Sequence, residues 1–182
     1  MTGLDLKEEV IESCGRLRDK CGYTHLHFEK GDISTYRGGQ QVDLVVSLHA
    51  CDTATDYALE KAVKWGAKVI LAVPCCQHEI NKQIDCELLN PILQYGLIKE
   101  RISALITDAL RANSLDRQGY DTQILEFIDL EHTPKNLLIR AVKRPDRLMR
   151  PQGRKNNDIT AVTEFLKVTP KLDVLLEAKE GE

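Results

Sequence analysis

No stretch of this sequence approaches the run of about 18 apolar residues that a membrane-crossing helix needs. The opening residues, MTGLDLKEEV, have neither the basic nor the apolar part of a secretion signal. A cytoplasmic address and no membrane partner are the expectation. Aromatic side chains make up only 5% of the chain, which leaves no evident platform for stacking single-stranded bases. Six cysteines in 182 residues are too few for a disulfide scaffold, and the vicinal pair Cys75-Cys76 cannot easily close on itself, so thiols are expected. Repeats and low-complexity tracts are also missing.

What remains is 42% apolar residues in a chain long enough for one domain with a real core. The net charge of −3 hides an asymmetry: Arg140 to Lys155 carries seven Lys/Arg and one acid, Asp146. Such a strip reads either as a solvated linker or as a guide for a polyanion such as RNA.

Val10, Ile11, Cys14, Leu17 and Cys21 recur at helical spacing and Gly22 follows as a stop, which predicts an amphipathic helix. Short strands are expected on either side, over Thr2–Leu6 and from His25 to Phe28. Val42–Leu48 (VDLVVSL) and Lys68–Val73 (KVILAV) are nearly continuous apolar runs, expected to be strands buried on both faces. Between them Thr53 and Asp56 resemble a capping box, Tyr57, Ala58, Leu59, Ala62 and Trp65 continue as a helix, and Gly66 closes it. Runs of this kind separated by helices of about a dozen residues build parallel βαβ units. From Ile80 to about Arg117 the pattern is helical, with interruptions near Asn90-Pro91 and at Gly96. Thr122–Asp129 and Leu137–Lys143 then read as an antiparallel hairpin joined by residues 130–136. Ile159, Val162, Phe165 and Leu166 share one face of a last helical segment, broken at Thr169-Pro170. The organisation expected is an α/β domain over residues 1–150 with a helical extension, 151–182, packed on it.

Open α/β sheets bind ligands beyond the carboxyl ends of their strands. After the first strand stands Asp5, which can accept the hydroxyls of a ribose or cap the following helix. After the second comes Gly31-Asp32-Ile33: Asp32 can accept from an adenine amino group or serve as a turn residue, and Ile33 can cover a ring face. Two further loops, Ser47-Leu48-His49-Ala50-Cys51-Asp52 and Pro74-Cys75-Cys76-Gln77-His78-Glu79, hold two His, three Cys, two acids and a Gln, more polar chemistry than turns require. His49 and His78 are candidate general bases with Asp52 or Glu79 to orient them; the competing readings are a loop-carbonyl bond for His49, a helix start for His78 and simple wall packing for Cys75 and Cys76. Cys51, Cys75, Cys76 and His78 are also of the right types for Zn²⁺, although adjacent cysteines point apart on an extended backbone.

The strings SLHACDTATD and VPCCQHE resemble a class I S-adenosylmethionine-dependent methyltransferase family. That family includes bacterial methyltransferases and the methyltransferase part of the glutathione S-transferase C-terminal-domain-containing protein, with a looser similarity to a tRNA 2′-O-methyltransferase family. The resemblance covers roughly Thr2 to Lys143. It implies a Rossmann-like, mostly parallel sheet ending in an antiparallel hairpin, and S-adenosylmethionine as cofactor. By it Asp5 and Leu6 meet the ribose, Asp32 and Ile33 the adenine, and Leu48 and His49 the rest of the cofactor. His49, Asp52, His78 and Glu79 then line the methyl-transfer site, Pro74, Cys75, Cys76 and Gln77 face the acceptor, and no metal is required. It also implies a first strand and a glycine-rich loop ahead of the Asp5 position, where this sequence has only Met1–Leu4. The expectations are therefore a methyltransferase domain lacking that strand and loop, impaired on its own, with a missing N-terminal portion or homo-oligomer to complete the sheet and RNA as the favoured acceptor. The rival from another class is a non-catalytic RNA- or protein-binding module.

Overall fold

The structure, a computed structural model, describes residues 1–38, 41–48, 50–126, 137–144 and 159–178. The chain forms two compact units, Met1–Gly39 and Gln40–Glu182.

In the first unit, strand β1 (Thr2–Asp5) leads into helix α1 (Glu8–Cys21), which returns the chain to strand β2 (His27–Lys30). Glu8 and Glu9 occupy the first turn of α1 and Arg18 and Lys20 its last, each sign facing the opposite end charge of the helix dipole. Gly22 ends the helix at φ 72°, a left-handed position that glycine adopts without a side-chain clash. β1 and β2 pair in parallel, from Thr2 opposite His27 to Asp5 opposite Lys30. A Cβ on Gly3 would stand 2.8 Å from the Phe28 ring, so this pairing depends on glycine there.

The second unit runs β3 (Leu44–Leu48), α2 (Thr53–Lys64), β4 (Val69–Val73), α3 (Glu79–Gln83), a single 3₁₀ turn at Glu87–Leu89, α4 (Asn90–Leu93), α5 (Gly96–Arg117), β5 (Tyr120–Glu126), β6 (Leu137–Lys143), α6 (Ile159–Leu166) and α7 (Lys171–Glu177). Its sheet has the order β3-β4-β6-β5. β3 and β4 are parallel, β6 is antiparallel to β4 and to β5, and so β6 alone runs against the others. The mixed α/β class, the mostly parallel strand direction and the terminal antiparallel pair agree with the sequence expectation; the expected turn at 130–136 lies outside the described residues.

One core joins α2, α5 and α7 to one face of this sheet through Leu59, Ala62, Ile70, Ala72, Leu115, Tyr120, Ile139, Ala141 and Leu172. Each large side chain buried there stabilises by about 1.5–3 kcal/mol. The Tyr120 hydroxyl donates to the Ala67 carbonyl at 2.8 Å, which satisfies a buried polar group at the start of β4. A second core gathers Ile80, Ile84, Cys86, Leu93, Leu110, Leu166 and Val168.

Three local expectations are corrected. The β3 run is not buried on both faces: Val45 and Ser47 face the helix-covered side, while Leu44, Val46 and Leu48 are 49%, 48% and 58% exposed. The cause is that β3 is the edge of its sheet and α2, α5 and α7 all pack on the opposite face. The interruptions expected near Asn90-Pro91 and at Gly96 are present as helix starts, since Asn90 opens α4 and Gly96 opens α5, with Pro91 in the first turn where its missing N–H costs nothing. Asp56 does not reach back to cap α2, because it is 2% exposed and bonded to Arg111. On α6 Leu166 is buried, whereas Val162 and Phe165 are exposed.

Candidate functional site

The acids at the ends of β1 and β2 are each held by a local backbone bond. Asp5 Oδ1 accepts from the Lys7 N–H at 2.8 Å and so steadies the entry to α1, while the Asp5 carbonyl accepts from the Gly31 N–H at 3.0 Å. Asp32 Oδ1 accepts from the Ser34 N–H at 2.8 Å, and this bond holds its carboxyl below the ordinary aspartate range. The turn reading of Asp32 is therefore realised, whereas Asp5 bonds the N–H of Lys7, itself the N-cap residue of α1, and so does not cap the helix; each carboxylate keeps a second oxygen. Asp32 is exposed, Asp5 and Ile33 are half-buried, and Leu6 is exposed.

In the second unit the loops after β3 and β4 are stitched together by Asp52. Its N–H donates to the Cys76 carbonyl at 3.0 Å. Its Oδ1 accepts from the His78 and Glu79 N–H groups at 2.9 and 3.1 Å, so it caps α3 from a distant loop. Asp52 itself sits at φ 52°, ψ −124°, a conformation that L-residues rarely adopt. On the far side, Thr55 Oγ1 donates to the Ala50 carbonyl at 2.6 Å.

Beneath these loops lies a charged cluster that sequence reasoning did not find. Arg111 on α5 donates to Asp56 through Nε at 2.8 Å and Nη2 at 2.7 Å, to Asp108 Oδ1 through Nη1 at 3.2 Å, and to the Asp52 carbonyl through Nη2 at 2.9 Å. Gln77 completes it by donating to Asp108 Oδ2 at 2.9 Å. Burial pulls the Arg111 pKa down, but the bonds and charges of Asp56 and Asp108 outweigh it and leave a net rise. Burial also pushes Asp108 up to about 6, against the opposing pull of Arg111 and Gln77. Glu79 is raised as well, by burial first and then by the Asp56 charge. A signal was available: Ser103, Thr107 and Arg111 recur every four residues on α5, a polar stripe that the structure buries completely.

Of the residues the sequence singled out in these loops, Asp52, Cys75, Cys76, Gln77, His78 and Glu79 are brought together with Pro74, and His49 lies outside the described residues. Pro74 and Gln77 are buried, Leu48 and His78 are exposed, and Glu79 is half-buried, accepting from Gln83 Nε2 at 3.3 Å. Among the described residues the His78 side chain is not joined to Asp52, whose Oδ1 is engaged by backbone. The sulfurs of Cys51 and Cys75 are 3.4 Å apart, and those of Cys51, Cys75 and Cys76 all lie within 4.8 Å of one another. The three therefore converge even though Cys75 and Cys76 are neighbours, because β4 ends at Val73 and the backbone is no longer a regular strand there. His78 is not part of that group. No described helix is long and apolar enough to cross a membrane.

The arrangement is that of an α/β protein with polar loops after its parallel strands. The model of a methyltransferase domain family matches residues 1–83, a span that holds every candidate residue from Asp5 to Glu79. No curated protein matches the sequence. Among solved structures, the YcgJ protein from Bacillus subtilis is 12% identical, with a TM-score of 0.46 over 79% of this chain and 82% of that one. The methyltransferase domain of bacterial CtHen1 is 14% identical with a TM-score of 0.42 over 78% and 76%. The CMeT domain of the citrinin polyketide synthase is 16% identical, with 0.43 over 79% and 39%.

Proposed function

We propose that the chain is an S-adenosylmethionine-dependent methyltransferase domain. The observation that carries the reading is the match of residues 1–83 to a methyltransferase domain family. In this reading Asp5 meets the ribose hydroxyls, and Asp32 with Ile33 meets the adenine. The methyl-transfer chemistry is assigned to the loops after β3 and β4. Methyl transfer from a sulfonium is an in-line displacement, so the protein's tasks are to orient the acceptor, remove its proton and exclude water. His49 and His78 are the bases assigned to that proton. Asp52 fixes the backbone that carries His78, and the ion pair of Arg111 with Asp56 supports Asp52 through its carbonyl.

RNA is the acceptor class assigned, on the basic segment from Arg140 to Lys155. Of its described members, Arg144 pairs with Asp121 at 2.7 Å and Arg140 donates to Gln123 at 3.2 Å. Salt-dependent RNA binding that weakens on charge reversal of Arg144, Arg147 and Arg150 supports this assignment, and binding unchanged by it removes RNA.

The test of the main reading is calorimetric titration with S-adenosylhomocysteine of the chain and its Asp5→Asn and Asp32→Asn variants. Asparagine keeps the turn acceptor in each place and loses the charge that grips a diol or an amino group. Saturable binding that both variants weaken by about tenfold or more is expected, the equivalent of about 1.4 kcal/mol. Binding indifferent to both substitutions, or no binding, overturns the reading.

A further inference from the structure

Cys51 belongs to the loop between β3 and α2, and Cys75 and Cys76 to the loop after β4, yet their sulfurs form one triangle with no side longer than 4.8 Å, the Cys51–Cys75 side being 3.4 Å. That distance exceeds the roughly 2.05 Å of a disulfide, and all three are free cysteines. A tetrahedral d¹⁰ cation held about 2.3 Å from each sulfur requires sulfurs about 3.8 Å apart, which falls inside the observed range.

The frame around the triangle is built independently of the cysteines. Asp52 N–H to the Cys76 carbonyl, Asp52 Oδ1 to the His78 and Glu79 N–H groups, and Arg111 to the Asp52 carbonyl fix both loops without using a sulfur. The donors are thus held in place before any ion arrives. A cation at the centre of the triangle would attract all three sulfurs, since a coordinating thiol gives up its proton.

We propose that Cys51, Cys75 and Cys76 form a three-thiolate site for a zinc-type cation, with its fourth coordination position open. Cys51 is exposed while Cys75 and Cys76 are half-buried, so the triangle has a solvent side from which water or a soft donor can complete the coordination. Three protein ligands and an open position is the pattern of zinc sites that bind and polarise a ligand, as opposed to sites closed by four side chains. His78, a candidate ligand by residue type, is not among the donors. The proposal stands apart from the methyltransferase reading, because it rests on the second unit alone and needs no cofactor.

The test uses the whole chain, reduced, freed of metal by a chelator and kept anaerobic, titrated with Zn²⁺ against a chromophoric competitor and with Co²⁺ as a spectroscopic substitute. One Zn²⁺ per chain and a sulfur-to-cobalt charge-transfer band are expected. Cys51→Ser, Cys75→Ser and Cys76→Ser should each weaken binding by about 100-fold, and His78→Ala and Cys21→Ser should leave it within about threefold. Circular dichroism of each metal-free variant reports folding. Should Cys75→Ser unfold, the exposed Cys51 carries the decision. Binding below half an equivalent, no charge-transfer band, or full affinity in Cys51→Ser overturns the site, and a loss in His78→Ala as large as in Cys51→Ser overturns the three-thiolate ligand set.

Discussion

Arg111 on α5 holds the Asp56 carboxylate on α2 with two bonds, Nε to Oδ1 at 2.8 Å and Nη2 to Oδ2 at 2.7 Å, and both side chains are 2% exposed. Removing one member strands the other charge in the interior. Arg111→Ala is expected to cost about 3–5 kcal/mol, read as a shift in the urea midpoint at unchanged slope. Arg111→Lys keeps the charge but loses the planar fork and should recover only part of the loss. An apolar replacement of both residues, Arg111→Met with Asp56→Leu, should be far milder than Arg111→Ala; equal losses would mean that the pair is not what fails.

Asp108 should give this stability a dependence on pH. Its folded carboxyl titrates at about 6, against 3.8 for the unperturbed group, so between those values the folded state binds more protons than the unfolded one. The contribution of Asp108 is therefore fully present below about pH 4 and is lost as the pH rises to about 6. Asp108→Asn cannot titrate. Wild-type stability minus that of Asp108→Asn should fall by up to about 3 kcal/mol from pH 4 to pH 7. A difference that is flat, or that rises, contradicts burial as the dominant influence on this group.

The elements were legible in the sequence wherever one local signal decided them. Gly22 and Gly66 stop their helices, KVILAV makes β4, and the β-rich run from Leu137 to Lys143 makes β6. What misled was pattern without partners. VDLVVSL reads as a doubly buried strand, but burial belongs to what packs on it, and β3 lies at an edge. Thr53 and Asp56 have capping-box spacing, but a buried guanidinium outbids a backbone N–H for a carboxylate. The two polar loops stood out because their residue types exceed what turns need, and the structure joins them through Asp52. Their support did not stand out, because Arg111 lies 55 residues from Asp56 and only tertiary structure joins them.

Ser103 on α5 is fully buried, and among the described residues its hydroxyl has no hydrogen-bond partner. A buried hydroxyl that makes no bond has lost its water and gained nothing, at a cost of about 1–3 kcal/mol. Ser103→Ala removes that cost, keeps the small volume and raises helix propensity by a few tenths of a kcal/mol. Stabilisation by roughly 1 kcal/mol, seen as a higher urea midpoint, is the expected outcome. Destabilisation would show that the hydroxyl is engaged in solution, for example by a buried water.

Asp52 combines two opposed effects that substitution can separate. Its backbone, at φ 52° and ψ −124°, costs of order 1–3 kcal/mol for a residue with a Cβ. Its carboxylate returns about 1 kcal/mol by capping the His78 and Glu79 N–H groups. Asp52→Asn keeps the acceptor and the strain and should change stability least. Asp52→Ala keeps the strain and loses the cap, so it should be the least stable of the set. Asp52→Gly loses the cap but relaxes the backbone, and should exceed Asp52→Ala by about 1 kcal/mol in urea denaturation. Equal stabilities for the glycine and alanine variants would mean that the loop shifts to relieve the strain. The frame proposed to hold the three sulfurs would then be softer than the bonds around Asp52 imply, and Asp52→Ala would bind Zn²⁺ as tightly as Asp52→Gly.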